Sequence, residues 1–291
     1  VASPEIVTAL AISGKLSFDP SKDKLTLNNG DTFTFESPIG SELPEMGFEE
    51  IGSDDFLKAE LRPDTQVVIK PESDRLQVLE PFSQWNEKEM ENLKVLLKAK
   101  GKCTTDHVSP AGPWLKYRGH LENISQNMYS GALNAFTKTN GEAIDLINNK
   151  TDNIYEVAKN YKENNIDWIA VADENYGEGS SREHAAMEPR FMGCKIILAK
   201  SFARIAQTNL KKQGIIPLLF KDKSDYDKIE SNDTISTINL KDFDNKTNLK
   251  LSLNKPDGSS VTIETLHTFS KNQIGWFKAG SALNLIAKKS N

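Results

Sequence analysis

Between Asp173 and His184 the chain reads Asp-Glu-Asn-Tyr-Gly-Glu-Gly-Ser-Ser-Arg-Glu-His, polar residues and two glycines crowded between an apolar run and a helical pattern. In α/β sheets, ligands collect at such junctions between a strand end and a helix start. The unpaired amides of a helix N-terminus carry partial positive charge, so an anion or a developing alkoxide there is stabilised. Ser180 or Ser181 could therefore ionise more readily than a free serine. Gly177 and Gly179 would let backbone approach a ligand closely. The same residues also have a purely structural use. Ser180-Ser181-Arg182-Glu183 fits a capping box, with Ser180 as cap and Glu183 reaching back, and the pattern alone favours that use.

Two further stretches are rich in chemistry. Gly101 to Gly112 (Gly-Lys-Cys-Thr-Thr-Asp-His-Val-Ser-Pro-Ala-Gly) follows apolar Val95-Leu96-Leu97 and is dense in hydrogen-bonding side chains. Within it, Asp106 beside His107 reads either as a turn pair or as part of an acid-base network. In Trp114 to Ile124, Arg118 sits between Tyr117 and Gly119. A bidentate guanidinium is a natural grip for a carboxylate, although most arginines serve only a solvated face. Lys211-Lys212 reads as an exposed helix end. His184 and His267 have no partner at metal-ligand spacing and read as structural.

These groups need a scaffold, and the central pattern supplies one. Asp167 to Ala172, Lys195 to Ala199 and Ile215 to Phe220 read as buried strands. Between them, Arg182 to Met192 and Phe202 to Gln213 read as helices, ended by Gly193 and Gly214. A β-α-β-α-β order implies parallel strands with right-handed crossovers. Downstream, Leu249 to Leu253 and Val261 to Thr265 flank a Lys-Pro-Asp-Gly turn, and a last helix is expected over Gln273 to Lys288. Upstream, Ser3 caps a helix begun by Pro4 and stopped by Gly14, a short apolar element that needs a packing partner. Leu25 to Leu27 and Thr32 to Phe35 flank Asn28-Asn29-Gly30-Asp31, a hairpin signal. Residues 37–75 are rich in Pro, Gly, Ser and acids, with little periodicity apart from Val67-Val68-Ile69, and read as a linker.

Bulk properties narrow the field. At 291 residues, with 37% hydrophobic and 26% charged residues, the chain has the make-up of a folding protein. A net charge of -5 gives no general attraction for polyanions, so nucleic acid is not an expected partner. No apolar run approaches the ~20 residues needed to cross a bilayer. Cys103 and Cys194 stand far apart, without metal or redox spacing, and read as buried reduced thiols. Two cysteines cannot supply the three or four thiolates of an iron-sulfur cluster. The N-terminus lacks an initiator methionine and any targeting pattern, and reads as an internal cut.

Taken together, Gly101 to Gly112, Trp114 to Ile124 and Asp173 to Arg190 resemble the signature segments of the fourth, swivelling domain of the aconitase family. The likeness continues through Lys200 to Arg204, Thr208 to Gly214 and Trp276 to Asn284, and Ser3 to Ile12 looks like a helix late in the family's third domain. The resemblance implies a third-domain remnant at 1–36, an interdomain linker at 37–75 and a swivelling β/β/α-type domain at 76–291. That domain would hold a mixed, partly parallel sheet flanked by helices. The implied activity is a hydro-lyase, interconverting citrate and isocitrate through cis-aconitate in the tricarboxylic acid cycle of the mitochondrial matrix. Ser180 would be the alkoxide base, Asp106 an active-site aspartate, and Arg118, Ser181 and Arg182 substrate-binding residues. The 4Fe-4S cluster that removes the hydroxyl would belong to N-terminal domains of the same monomeric polypeptide, so this chain alone would be inactive.

Isopropylmalate isomerase and homoaconitase share the swivelling domain, but the loop Tyr117-Arg118-Gly119-His120 and the attached third-domain piece argue against them. An RNA-binding, aconitase-like regulator is a further alternative, disfavoured by the acidic balance.

Overall fold

A computed structural model describes residues 1–40, 44–48 and 57–290. The chain divides into two compact units, Val1–Gln66 and Val67–Asn291.

In the first unit α1 (Pro4–Ser13) begins and ends as expected. Ser3 Oγ accepts the Ile6 amide at 3.4 Å, and Gly14, at φ 66°, donates its amide to the Leu10 carbonyl at 3.0 Å. Ala9 is buried, whereas Ile6, Val7 and Ile12 are exposed. The hairpin is shorter than expected, with β1 (Leu25–Thr26) pairing only two residues of β2 (Thr32–Phe33). Leu27 belongs to the turn instead, donating to the Asp31 carbonyl and accepting from Gly30. Of the expected linker, 41–43 and 49–56 lie outside the described residues. The rest forms no helix or strand, and Val67 and Val68 are 84% and 88% exposed.

The second unit opens with β3 (Leu93–Lys98), two short helices, α2 (Thr105–Val108) and α3 (Leu121–Ser125), and a hairpin of β4 (Glu142–Asp145) and β5 (Lys150–Asn153). Helix α4 (Ile154–Glu163) leads into the expected alternation of β6 (Trp168–Ala172), α5 (His184–Phe191), β7 (Cys194–Ala199), α6 (Arg204–Lys212) and β8 (Ile216–Phe220). Strands β9 (Thr234–Ile238), β10 (Lys250–Asn254) and β11 (Ser260–Leu266) and helices α7 (Lys271–Ala279) and α8 (Ala282–Ser290) complete it.

The mixed, partly parallel sheet is present and is closed into a barrel in the order β10-β11-β8-β7-β6-β3-β9. Strands β3, β6, β7 and β8 are parallel neighbours, while β9, β10 and β11 close the ring with antiparallel pairs. The parallel strands are apolar almost throughout because both their faces are buried. Along β6, Ile169 and Val171 join Leu198, Leu218, Ile235, Leu251 and Ile263 in one core. Trp168, Ala170 and Ala172 join Val157, Tyr161, Ala186 and Leu210 in another, formed with α4, α5 and α6. A period of two along one strand thus divides the molecule into two apolar layers.

The single helix expected over Gln273 to Lys288 is two helices. Gly280 ends α7 at φ 94°, and a Cβ there would fall 2.5 Å from the Ser83 carbonyl oxygen, so the chain turns where only glycine fits. Helices α5 and α6 each begin two residues later than expected, at His184 and Arg204.

Candidate functional site

Neighbouring parallel strands β3, β6 and β7 end at one rim, and the loops leaving them build the site. The β6 loop is fastened on both sides. Gly177 donates its amide to the Cys103 carbonyl at 2.7 Å, and Thr105 donates to the Glu178 carbonyl at 2.9 Å. On the other flank Tyr176 donates to the Ser201 carbonyl and accepts from Ala203, both at 2.9 Å. At the base, Asp173 accepts the Gly101 amide at 3.0 Å and pairs with Lys200 at 2.8 Å. Gly177 is required here: at φ 77° its Cβ would lie 2.3 Å from that of Ala206.

Fastened this way, the chain does not turn into α5 until His184. Glu183, not Ser180, holds the cap position, and it makes no side-chain cap bond. The capping-box use of Ser180 to Glu183 is therefore overturned, because the loop fastened on both sides turns at Ser180, with the Arg182 amide donating to the Ser180 carbonyl, and enters the helix only after Glu183. A capping box forms instead at α2, where Thr104 Oγ1 accepts the His107 amide at 3.3 Å and His107 Nδ1 accepts the Thr104 amide at 3.2 Å. That places His107 Nδ1 at the cap, and among the described residues no hydrogen bond joins the ring to Asp106.

Asp106 turns to Arg182 instead. Its Oδ1 lies 2.7 Å from Arg182 Nη1, which also donates to the Ser109 carbonyl at 2.7 Å. The Arg182 side chain is 13% exposed, so its charge is held in a fixed, largely dry place. Ser109 Oγ in turn donates to Glu188 Oε1 at 2.7 Å, and both residues are fully buried. Burial pushes the Glu188 carboxyl well above the usual carboxylate range, against the opposing pull of the Ser109 hydroxyl and the Arg182 charge. Sequence reasoning missed both Ser109 and Glu188. The available signal was an acid among Ala185, Ala186 and Pro189 on an otherwise apolar helix face.

Ser180, Ser181 and Arg182 line a cavity of about 520 Å³ together with Thr105, Tyr176, Arg204 and Asn209. The hydroxyls of Ser180 and Ser181 are exposed and, among the described residues, make no hydrogen bond. Arg204 opens α6, whose cap position, Ala203, has no side chain able to bond the first amides. The cavity therefore sets two open hydroxyls beside a fixed guanidinium and free helix amides. Such a place suits an anionic ligand and a proton transfer.

Arg118 is not brought into this cavity. It is exposed, donates Nε to the Leu115 carbonyl at 3.1 Å, and lines a separate cavity of about 410 Å³ with Ser73, Arg75 and Gly119. His184 lies between the two arginine regions electrostatically. Burial lowers its pKa first, and the charges of Arg182 and Arg118 lower it further. His267 stacks edge-on against Phe243 at 4.8 Å. Lys211, expected at the surface, is instead buried: Nζ donates to the Thr268 carbonyl and hydroxyl, both at 2.7 Å, and desolvation lowers its pKa to about 8. The expected helix end is there, but α7 and its leading segment cover it.

Cys103 and Cys194 are free and fully buried, and burial alone pushes the Cys103 thiol up to about 12. Among the described residues no group of three His, Cys, Asp or Glu side chains could hold a metal. A four-iron cluster does not fit this chain.

Residues 93–223, from β3 to just past β8, match the family model described as the aconitase C-terminal domain. The chain is 52% identical over 294 residues to the mitochondrial homocitrate dehydratase of Saccharomyces cerevisiae, covering 98% of this chain and 37% of that protein. It is 52% identical over 290 residues to a probable mitochondrial aconitate hydratase of Dictyostelium discoideum, with the same coverage of 98% and 37%. It is 50% identical over 287 residues to a probable mitochondrial aconitate hydratase of Caenorhabditis elegans, covering 98% and 36%. The chain thus spans little more than a third of the length of these relatives.

Proposed function

We propose that the chain, whose residues 93–223 match the aconitase C-terminal domain, belongs to the aconitase family and supplies the C-terminal part of a mitochondrial aconitate hydratase. That hydro-lyase would interconvert citrate and isocitrate through cis-aconitate. Residues 1–36 would end the preceding domain, 37–75 would be the linker, and 76–291 the swivelling domain. The exposed Ile6, Val7 and Ile12 of α1 support the first assignment, since an apolar helix face needs cover.

The observation that carries this reading is the Arg182 guanidinium, fixed by Asp106 and Ser109 at the wall of the cavity where Ser180 and Ser181 stand open. In the proposed reaction Ser180, as alkoxide, removes the carbon-bound proton and returns it when water re-adds to the other carbon. Arg182 and Ser181 hold a substrate carboxylate, and Arg182 adds positive potential that favours the ionised serine. Asp106 orients Arg182. Arg118 grips a second carboxylate when the cavities are brought to one substrate. Departure of the hydroxyl falls to groups this chain does not hold, since its buried thiols cannot ligate a cluster. The chain alone is therefore expected to show no citrate turnover.

Ser180→Ala in the full-length protein tests the reading. It should lower kcat by about 10³-fold, within the range of a lost general base, with KM nearly unchanged. Near-normal turnover would sink it. The equal identity to a homocitrate dehydratase makes the one-carbon-longer substrate the competing reading, and kcat/KM for the two acids decides between them.

A further inference from the structure

We infer that Glu188 and Ser109 form an internal brace that sets the Arg182 guanidinium at the wall of the cavity, making Glu188 a positioning residue for the reaction. The inference rests on the reading that Arg182 binds a substrate carboxylate.

The brace is a continuous chain of polar contacts. Glu188 Oε1 accepts the Ser109 hydroxyl at 2.7 Å, the Ser109 carbonyl accepts Arg182 Nη1 at 2.7 Å, and the same nitrogen meets Asp106 Oδ1 at 2.7 Å. Glu188 sits on α5 and Ser109 just after α2, so the link crosses 79 residues of sequence. Both are 0% exposed, and Glu188 Oε2 has no partner. A buried carboxyl with one oxygen unbonded costs stability that an apolar pair of similar volume would not. What the polar pair adds is direction. The Ser109 carbonyl follows a backbone that its own side chain anchors to α5, and Arg182 follows the carbonyl.

Charge makes the choice of a carboxyl consistent. Burial pushes the Glu188 carboxyl well above the usual range, which favours the uncharged form that ties Ser109 down without neutralising Arg182. The guanidinium keeps its charge for Asp106 and for an anion in the cavity. A neutral amide of the same shape should therefore serve, and an apolar side chain should not.

The experiment is a double-mutant cycle in the full-length enzyme with all its domains, read as kcat and KM. Glu188→Gln should stay within about twofold of the parent kcat/KM. Glu188→Leu should lose on the order of tenfold, mostly through KM, the scale expected when a binding group is slightly misplaced. In an Arg182→Ala background Glu188→Leu should cost less than about twofold more, because there is no guanidinium left to position. If Glu188→Leu does not fold, Ser109→Ala, which removes the hydroxyl and leaves the carbonyl, should show a smaller loss that likewise vanishes without Arg182. Equal losses in both backgrounds, or a Glu188→Gln variant as poor as Glu188→Leu, would overturn the brace alone. An unimpaired Arg182→Ala enzyme would overturn the carboxylate-binding reading and the brace with it.

Discussion

Arg182 and Arg118 make an instructive contrast, because both are read as carboxylate grips and the molecule treats them oppositely. Arg182 is 13% exposed, paired with Asp106, bonded to a backbone carbonyl and braced from behind by a buried carboxyl. Arg118 is exposed on the rim, bonded to the Leu115 carbonyl three residues back in its own segment. The first has lost its side-chain freedom during folding, whereas the second keeps it until a ligand arrives. A guanidinium already in place can act on the transition state, and one that must be ordered contributes mainly to binding. The segment around Arg118 is itself anchored, through a Leu76–Gly119 bridge and an Asn123 amide donating to the Asp74 carbonyl at 2.9 Å. Its freedom is that of one side chain.

The contrast can be broken from its stronger side first. Arg182→Lys should lower kcat/KM by about 100-fold and cost about 2 kcal/mol of stability, since an ammonium cannot keep the planar fork between Asp106, Ser109 and a ligand. Steady-state kinetics with thermal unfolding checks both numbers, and an unchanged Tm would remove the distinction between the arginines. Arg118→Lys should raise KM about tenfold, leave kcat within about twofold and leave Tm unchanged. A kcat loss as large as that of Arg182→Lys would show that Arg118 is as preorganised as its counterpart once substrate binds.

A smaller effect sharpens the contrast by isolating the buried carboxyl. The folded-state pKa of Glu188 is raised, so both folded and unfolded chains are protonated below the unfolded value near 4.3. As pH rises past that value, the unfolded chain ionises first and the folded state loses stability until Glu188 itself titrates. Glu188→Gln cannot ionise and removes that loss. Denaturant unfolding should therefore find the variant more stable than the parent at pH 7.5, with the gap closing toward pH 4. A gap independent of pH would mean that Glu188 is not held uncharged.

Much of the framework was legible along the chain. The runs ending in Ala172, Ala199 and Phe220 are strands of five or six residues, apolar except for Lys195 and buried almost throughout, a signal that needs no long-range information. Gly14 was readable as a stop in the same local way. Barrel closure was not readable, because Thr234–Ile238 is mostly polar and becomes a strand by pairing with β10 and with the start of β3. At the site, the run from Ser180 to Arg182 with Asp106 was identified from residue type and resemblance, and the cavity gathers the three consecutive residues. The cap assignment of Ser180 failed because local hydrogen-bonding preference was outweighed by bonds to Cys103 and Thr105, more than seventy residues upstream.

The sequence by itself determined the parallel strands, their crossover helices and the glycine-flanked serines and arginine at a strand end, since each depends on periodicity or backbone freedom within a few residues. Only the tertiary structure decided which arginine is fixed, where α5 begins, and that Glu188 is buried behind Ser109 with its carboxyl pushed above the usual range. Those outcomes depend on burial and on bonds between segments distant in sequence, and neither is a property of a residue and its neighbours.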